Sequence, residues 1–290
     1  MANSIVLFKK YIDLLDEVYQ NASCSSVLDG DKTMVKAGVN ANEIVIPKIK
    51  MDGLADYSRT SGYVQGNVTI EYETVQFNYD RGRKFTVDAM DNVETAGIAF
   101  GKLSAEFIRT KTVPELDAFR FATYAAAPNI LKVAVGTELT TGEAVLNAVS
   151  AAQNEMDEHE VSTENRFLFI TPTLLRLAES VDTTKSKAVL DDFAKIVKVP
   201  QKRFSTAIEL YDGSAEGEEA GGYVKAEGAS DINFMIIEKS AVIQYSKHTV
   251  NKVITPEANQ NDDGWAFFFR DYGLADYYEN KTDGIYLHHK

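Results

Sequence analysis

The sequence predicts an α+β protein in which a compact unit is flanked by extended segments. Between residues 141 and 245, predicted helices alternate with short buried strands at residues 167–170 and 234–237. Before this unit lie a strongly alternating strand pattern at residues 68–79 and a helical pattern of about 35 residues, which is longer than a compact domain usually contains. These three observations indicate the fold class.

Composition and charge exclude several classes of function. The net charge is −13, from 43 acidic and 30 basic residues, so the surface repels nucleic acid, and no basic stripe suited to binding it is present. No apolar run reaches the roughly 18 residues of a membrane span, and no secretory leader is expected. Cys24 is the single cysteine, so an internal disulfide is excluded.

The sequence contains no motif of an active site or cofactor site. A phosphate-binding loop and a dinucleotide fingerprint are both missing, and no two of the four histidines have zinc-ligand spacing on a predicted helix. We interpret Glu115 and Asp117 as residues of a helix cap or a solvated face. The prediction is therefore no catalytic residue, no cofactor and no metal, with an enzyme that lacks a local signature as the alternative.

An amphipathic helix is predicted at residues 4–21. Its apolar stripe includes Phe8, Tyr11 and Leu15, which recur at spacings of three and four residues. An isolated helix of this length is marginal in water, so it must pack against another surface. That surface is either the core of the same chain or a neighbouring copy.

A long two-stranded arm is predicted after this helix. The strand at residues 68–79 would be followed by a turn at residues 80–83 and a return strand from Phe85. Glycine, Asp and Ser residues before it predict an exposed loop that contains Tyr57 and Arg59. Such a hairpin is barely stable alone and should contact another surface.

Several other elements have local signals. Pro47 indicates an edge strand, and Pro114 either kinks the long helix or begins a second one. A helix is predicted at residues 141–158 and another from Pro172, capped by Thr171. Two further segments are predicted to lack long elements, namely an acidic glycine-rich loop at residues 213–228 and short strands and turns at residues 262–290.

Four stretches resemble the major capsid proteins of tailed bacteriophages that infect Gram-positive bacteria. Residues 48–59 and 80–91 look like the entry and the end of the extended loop of that family. Residues 107–118 are similar to its spine helix, and residues 233–242 also match. The likeness is spread over residues 40–130 and 165–275 rather than carried by one motif.

The resemblance implies the Hong Kong 97 capsid fold. It divides the chain into an N-terminal arm (1–40), the extended loop or E-loop with flanking strands (41–90), the spine helix of the peripheral domain (91–134), the axial domain (135–245) and a return to the peripheral domain (246–290). The loop at residues 213–228 would point toward the capsomer axis or simply be exposed. Covalent cross-linking is not predicted, because neither reacting position matches by motif.

The function that the resemblance implies is self-assembly of a viral shell. The chain would be a structural, non-enzymatic virion protein, assembled in the host bacterial cytoplasm, whose pentamers and hexamers enclose double-stranded DNA. Its partners would be copies of itself and separate scaffolding, portal and decoration proteins, with no membrane. The alternatives are the shell of an encapsulin-like compartment and a soluble cytoplasmic α/β enzyme.

Seven residues are the candidates for contacts between subunits. They are Phe8, Tyr11, Leu15, Tyr57, Arg59, Arg81 and Arg83. The first three would use the apolar face of the predicted helix. The arginines would form ion pairs with acidic residues of a neighbour, and the alternative is a solvated, charged hairpin.

Overall fold

A computed structural model of the chain describes residues 23–30, 36–37, 43–89, 105–260 and 263–290. The predicted helix at residues 4–21, with Phe8, Tyr11 and Leu15, lies outside the described residues, as does the predicted start of the long helix at residue 91. Within the described ranges the strands form four sheets.

A five-stranded sheet with the order β5-β13-β10-β6-β7 forms the centre of one part of the molecule. Its strands are β5 (Leu131–Lys132), β6 (Arg166–Ile170), β7 (Lys195–Lys198), β10 (Ile232–Glu238) and β13 (Ile285–His289). β10 is antiparallel to both of its neighbours, whereas the two outer pairs are parallel. All seven residues of β10 are buried, because the sheet is covered on both faces.

Helices cover the two faces of this sheet. The helices are α1 (Val113–Ala125), α2 (Gly142–Glu158), α3 (Pro172–Glu179) and α4 (Thr183–Leu190). Phe234 and Ile236 of β10 share a core cluster with α2 and α3, whereas Met235 and Ile237 share one with α1. Alternate residues of one strand therefore build two separate cores.

The predicted elements of this part are confirmed. α2 begins where the sequence places it, and the Thr141 side chain accepts a hydrogen bond from the backbone N–H of Ala144 (3.2 Å). α3 begins at Pro172, as predicted. At Pro114 the helix continues: a π-helical turn at Ile108–Thr112 leads directly into α1, so the proline lies in the first turn of α1.

A second sheet, with the order β11-β12-β4, consists of long antiparallel strands. These are β4 (Tyr79–Asp88), β11 (Val242–Ile254) and β12 (Gly264–Tyr277). The prediction of short strands and turns at residues 262–290 is therefore wrong for residues 264–277, which form one long strand, whereas β13 is short, as predicted. Gly264 and Gly273 suggested turns, but a Cβ atom at these positions would lie only 2.7 Å and 3.0 Å from carbonyl oxygens of the neighbouring strands. The glycines allow close strand packing instead.

The extended hairpin is built differently from the prediction. It consists of β2 (Glu43–Met51) and β3 (Val68–Gln76), and β1 (Lys36–Ala37) pairs with β2 at Ile44 and Val45. Residues 80–83 form no turn but lie inside β4, which pairs with β12 rather than with β3.

Gly82 explains this difference. It suggested a turn, yet it faces Arg270 in β12, where an added Cβ atom would lie 2.8 Å from the Phe269 carbonyl oxygen. Pro47 does not interrupt β2, but it lies beyond the two residues that β1 covers. Among the described strands β2 has only β3 beside it at Pro47, so the edge-strand prediction is confirmed at this residue.

The fourth sheet is a two-stranded hairpin, β8 (Ile208–Tyr211) and β9 (Gly222–Lys225). The predicted acidic loop at residues 213–228 is therefore shorter, because β9 occupies part of it. Four glycines in the connecting segment and at its end have positive φ, at residues 213, 217, 221 and 222.

His288 provides a test of the five-stranded core. Its buried ring stacks on Phe234, with 4.9 Å between the ring centroids, and its Nδ1 lies 3.1 Å from Nδ2 of Asn233. Burial, with a smaller effect from His289, lowers the pKa of His288 from 6.5 to about 4. The neutral ring therefore accepts the hydrogen bond from Asn233.

We expect the free energy of unfolding to fall as the pH decreases from 6.5 to 4. In that pH range the unfolded chain binds a proton at His288 and the folded chain does not. This proton binding lowers the free energy of unfolding by at most about 3 kcal/mol. Denaturant unfolding of wild type and His288→Phe at several pH values measures it. The variant should have a smaller pH slope than the wild type, and an unchanged slope would contradict the prediction.

Candidate intersubunit interface

Exposed apolar side chains are concentrated at the end of the β2–β3 hairpin, residues 51–70, which is called the tip here. Among the described residues, eight large hydrophobic side chains are strongly exposed, and all but Val135 lie on this hairpin. The seven are Met51, Leu54, Tyr57, Tyr63, Val64, Val68 and Ile70. Scattered apolar residues are normal on a protein surface, but a concentration of this kind marks a contact surface.

The tip holds its shape through its own hydrogen bonds. The backbone N–H groups of Ser58 and Gly62 each donate to the carbonyl of the other residue (3.2 and 2.8 Å). The rings of Tyr57 and Tyr63 are in contact, with centroids 4.8 Å apart. The backbone N–H of Asn67 donates to the Asp52 carboxylate (2.8 Å). A surface that is already ordered loses less conformational entropy when it binds.

Tyr57 and Arg59 both lie at this tip, in the exposed loop that the sequence predicts. Tyr57 is 60% exposed, and Arg59 is exposed in the turn between Ser58 and Gly62. Tyrosine and arginine are both enriched at protein interfaces.

The base of the hairpin is fixed to the body of the protein. Asn78, between β3 and β4, donates from Nδ2 to the carbonyl of Ala275 (2.7 Å) and accepts from its N–H (3.1 Å). The Phe77 ring contacts Tyr272 of β12, with centroids 4.7 Å apart, and Lys247 lies over its face. The body therefore determines the direction in which the hairpin projects.

Arg81 and Arg83 lie away from the tip, and both contact their own chain. Arg81 Nε donates to the Glu115 carboxylate (2.7 Å), and Arg83 Nη2 donates to the carbonyl of Glu219 (2.9 Å). The sequence predicts that Arg81 pairs with a carboxylate of a neighbouring subunit. In the structure the carboxylate that binds Arg81 is Glu115, in α1 of the same chain. The sequence could not show this, since residues 81 and 115 are far apart along the chain.

A second arrangement holds the first described segment of the chain against the body. Residues 23–30, called the anchor segment here, are held by Asp117, whose side chain is fully buried. Its carboxylate accepts hydrogen bonds from Ser23 Oγ (2.8 Å), Cys24 N (2.9 Å), Ser25 N (3.1 Å) and Ser25 Oγ (2.6 Å). Arg203 pairs with it at 3.1 Å. A buried carboxylate needs such partners, so the contact is specific.

The anchor segment also contacts other elements. Arg120 of α1 donates to Ser25 Oγ (2.9 Å), and Gln244 of β11 donates to the Ser25 carbonyl (2.9 Å) and to Asp29 Oδ1 (2.6 Å). The interpretation of Glu115 and Asp117 as solvated residues is therefore wrong. The signal that could have shown it is that apolar residues occur on every side of α1, around its three charged residues, which is typical of a buried helix.

The described residues include no cluster of three or more His, Cys, Asp or Glu side chains arranged to hold a metal ion. In the same part of the chain, no helix combines the length and the apolar character needed to cross a bilayer.

Comparison with known proteins gives matches at the level of structure only. No protein-family model and no curated protein sequence matches the chain. A structure from Mycobacterium phage Che8 is 11% identical, with a TM-score of 0.60, and covers 90% of this chain and 89% of that one. A virus-like particle from Pyrococcus furiosus is 10% identical, with a TM-score of 0.60 and coverages of 97% and 99%. The capsid of Staphylococcus phage Andhra is 10% identical, with a TM-score of 0.57 and coverages of 91% and 83%.

The similar structures are mainly capsids of tailed phages. These likenesses show the fold of this protein, which is the Hong Kong 97 type with mixed helices and sheets. The fold class that the sequence predicts is thus confirmed over nearly the whole chain, despite the low identity.

The anchor segment can be tested through Cys24. Burial, followed by the charge of Asp117, raises the pKa of its thiol to about 11, so little thiolate is present at pH 8. Asp117→Asn removes the charge that holds the segment, and we expect thiol labelling to become roughly tenfold faster because the segment opens more often. Labelling with a chromogenic disulfide reagent measures it, since the chain has one cysteine. Asp80→Asn, at an exposed ion pair, is the matched control and should leave the rate unchanged.

Proposed function

We propose that this chain is the major capsid protein of a tailed bacteriophage, which self-assembles into pentamers and hexamers that close an icosahedral head. The observation that carries the proposal is the apolar tip of the β2–β3 hairpin, exposed on a chain whose fold is that of viral shell proteins. A single copy leaves this tip in water, so a neighbouring copy is its natural partner.

The energetics support such a contact. Fully burying one large apolar side chain contributes about 1.5 to 3 kcal/mol. Burial of several tip residues on a neighbour would thus contribute several kcal/mol per hairpin, reduced by the entropy lost on association. In a closed shell the same contact recurs for every subunit, so individually weak interfaces give a durable particle.

The N-terminal arm is proposed to form the second contact between subunits. The apolar stripe with Phe8, Tyr11 and Leu15 would pack on a neighbouring copy. The anchor segment supports this proposal, because it fixes the point from which the arm leaves the body. Arg59 at the hairpin tip would pair with an acidic residue of the neighbour, a partner that a chain with a net charge of −13 supplies readily.

The proposed location of the protein is the virion. Assembly would take place earlier, in the bacterial cytoplasm. The negative charge fits a wall that encloses double-stranded DNA without binding it tightly. Scaffolding, portal and decoration proteins are further proposed partners. The predominance of tailed-phage capsids among similar structures favours a phage head over an encapsulin-like compartment, and a structural role over a catalytic one.

Electron microscopy and size-exclusion chromatography of the purified chain test the proposal directly. We expect closed shells, or rings of five and six subunits. A clean monomer or dimer at every protein concentration would contradict it.

Leu54→Asp tests the hairpin contact. The charged residue should prevent burial of the tip and lower the yield of sedimenting particles by roughly tenfold or more, because burying an unpaired charge is costly. The melting temperature of the subunit should not change, since Leu54 is fully exposed. Val135→Asp is the matched control: Val135 is 72% exposed and lies outside the hairpin, so particle yield should be normal. Equal yields from the two variants would argue against the hairpin as the contact surface.

A further inference from the structure

Two arginines of β4 connect this strand to the β8–β9 hairpin. The hairpin is a separate two-stranded sheet, and such a unit is only marginally stable by itself. Its orientation must therefore come from contacts with other elements. Arg81 and Arg83, with the carbonyl groups of Tyr211, Glu219 and Gly222, are called the arginine clasp here.

Arg81 joins three elements through one guanidinium group. Its Nη2 donates to the Tyr211 carbonyl (2.7 Å) and lies 3.4 Å from the Gly222 carbonyl, and these residues face each other at the base of the hairpin loop. Its Nε donates to Glu115 of α1 (2.7 Å), and the Tyr79 hydroxyl lies 3.3 Å from the same oxygen. The planar group, with its donors in fixed directions, is suited to this arrangement.

Arg83 contacts the loop between the two strands. Its Nη2 donates to the carbonyl of Glu219 (2.9 Å). A Cβ atom added at Gly213 would lie 2.6 Å from Arg83 Nη1, and one added at Gly221 would lie 3.1 Å from it. Both glycines also have positive φ, so they supply the loop conformation as well as the space.

The loop is ordered internally and presents its carbonyl groups in fixed positions. The Asp212 carboxylate accepts from the backbone N–H groups of Ser214 (2.6 Å) and Ala215 (2.8 Å). The Glu218 side chain accepts from the Asp212 N–H (2.9 Å). The acidic side chains thus shape the loop, whereas the arginines bind its backbone.

A cavity of about 580 Å³ separates the loop from β4 and the helix that leads into α1. Phe85, Phe107 and Phe269 line one side, and Tyr211 and Asp212 line the other. Apolar packing is incomplete across this cavity, and the clasp bridges it. Loss of these hydrogen bonds would leave room for the hairpin to change its angle.

We propose that the arginine clasp fixes the angle between the β8–β9 hairpin and the β4 sheet, and that this angle determines the curvature of the shell. The inference rests on the proposed function. β4 continues directly into the extended hairpin, which would contact one neighbour, whereas β9 continues into the five-stranded sheet of the other part of the subunit. The clasp thus links the strand that leads into the extended hairpin to the hairpin that leads into the five-stranded sheet. A small change in their angle recurs in every subunit and alters the diameter of a closed particle.

A pair of glycine variants tests the effect on curvature. Gly213→Ala and Gly217→Ala introduce the same side chain at φ values of +80° and +87°, so their backbone strain is matched. Only the first places a Cβ atom against Arg83, because nothing lies within 4 Å of a Cβ at Gly217. We expect Gly213→Ala shells to have a shifted or broader distribution of diameters in electron micrographs, and Gly217→Ala shells to match wild type. The same distribution for both variants would overturn the proposal.

Proteolysis tests the clasp without depending on assembly. A glutamate-specific protease should cleave the loop at Glu216, Glu218 or Glu219 several-fold faster in Arg83→Ala than in wild type, because the loop opens more often. Arg81→Lys should have a similar effect, since an ammonium group does not reproduce the planar set of donors. Arg176→Ala, at an exposed arginine of α3, is the control. An unchanged cleavage rate in both variants would refute the claim that the two arginines hold the loop in place.

The two experiments distinguish the failure of this inference from that of the proposed function. If wild type forms no shells or rings, the proposed function fails and the claim about curvature fails with it, while proteolysis still decides whether the clasp orients the loop. If wild type forms shells and Gly213→Ala shells are identical to them, only the claim about curvature fails.

Discussion

The antiparallel pairing of β4 with β12 is the constraint on which the rest of the structure depends. Ten residue pairs join these strands, and the bidentate contact of Asn78 with Ala275 extends the junction to the base of the extended hairpin. Because β12 pairs with β4 and Ala275 holds Asn78, the base of the hairpin is fixed to the body while its apolar tip is exposed. The proposed function rests on this exposure of the tip.

Two carboxylates on α1 connect the outlying parts to this body. Glu115 binds Arg81 and so links α1 to β4 and to the β8–β9 hairpin, whereas Asp117 binds the anchor segment and Arg203. Both side chains are buried, where an unpaired charge would be strongly destabilising. Each pair therefore specifies one arrangement of its segment.

Local patterns determined the fold class, the buried strands β6 and β10 of the five-stranded sheet, the boundaries of α2, the start of α3, and the exposure of Tyr57 and Arg59. These features depend on periodicity, caps and turn residues that lie close together in sequence. The resemblance to capsid proteins also led to the correct fold, although overall identity to the similar structures is only about 10%. A fold can persist at such identity because burial pattern and element order are retained while side chains change.

Only the tertiary structure decided which strands pair and which charges are buried. The sequence around Gly82 is compatible with a turn, and it is the approach of the Phe269 carbonyl that makes this residue part of a strand. Likewise, nothing near Arg81 in the sequence indicates Glu115, and nothing near Asp117 indicates the anchor segment more than 90 residues earlier. Strand pairing and buried ion pairs are contacts between distant residues, so their partners are fixed by how the elements pack and not by local pattern.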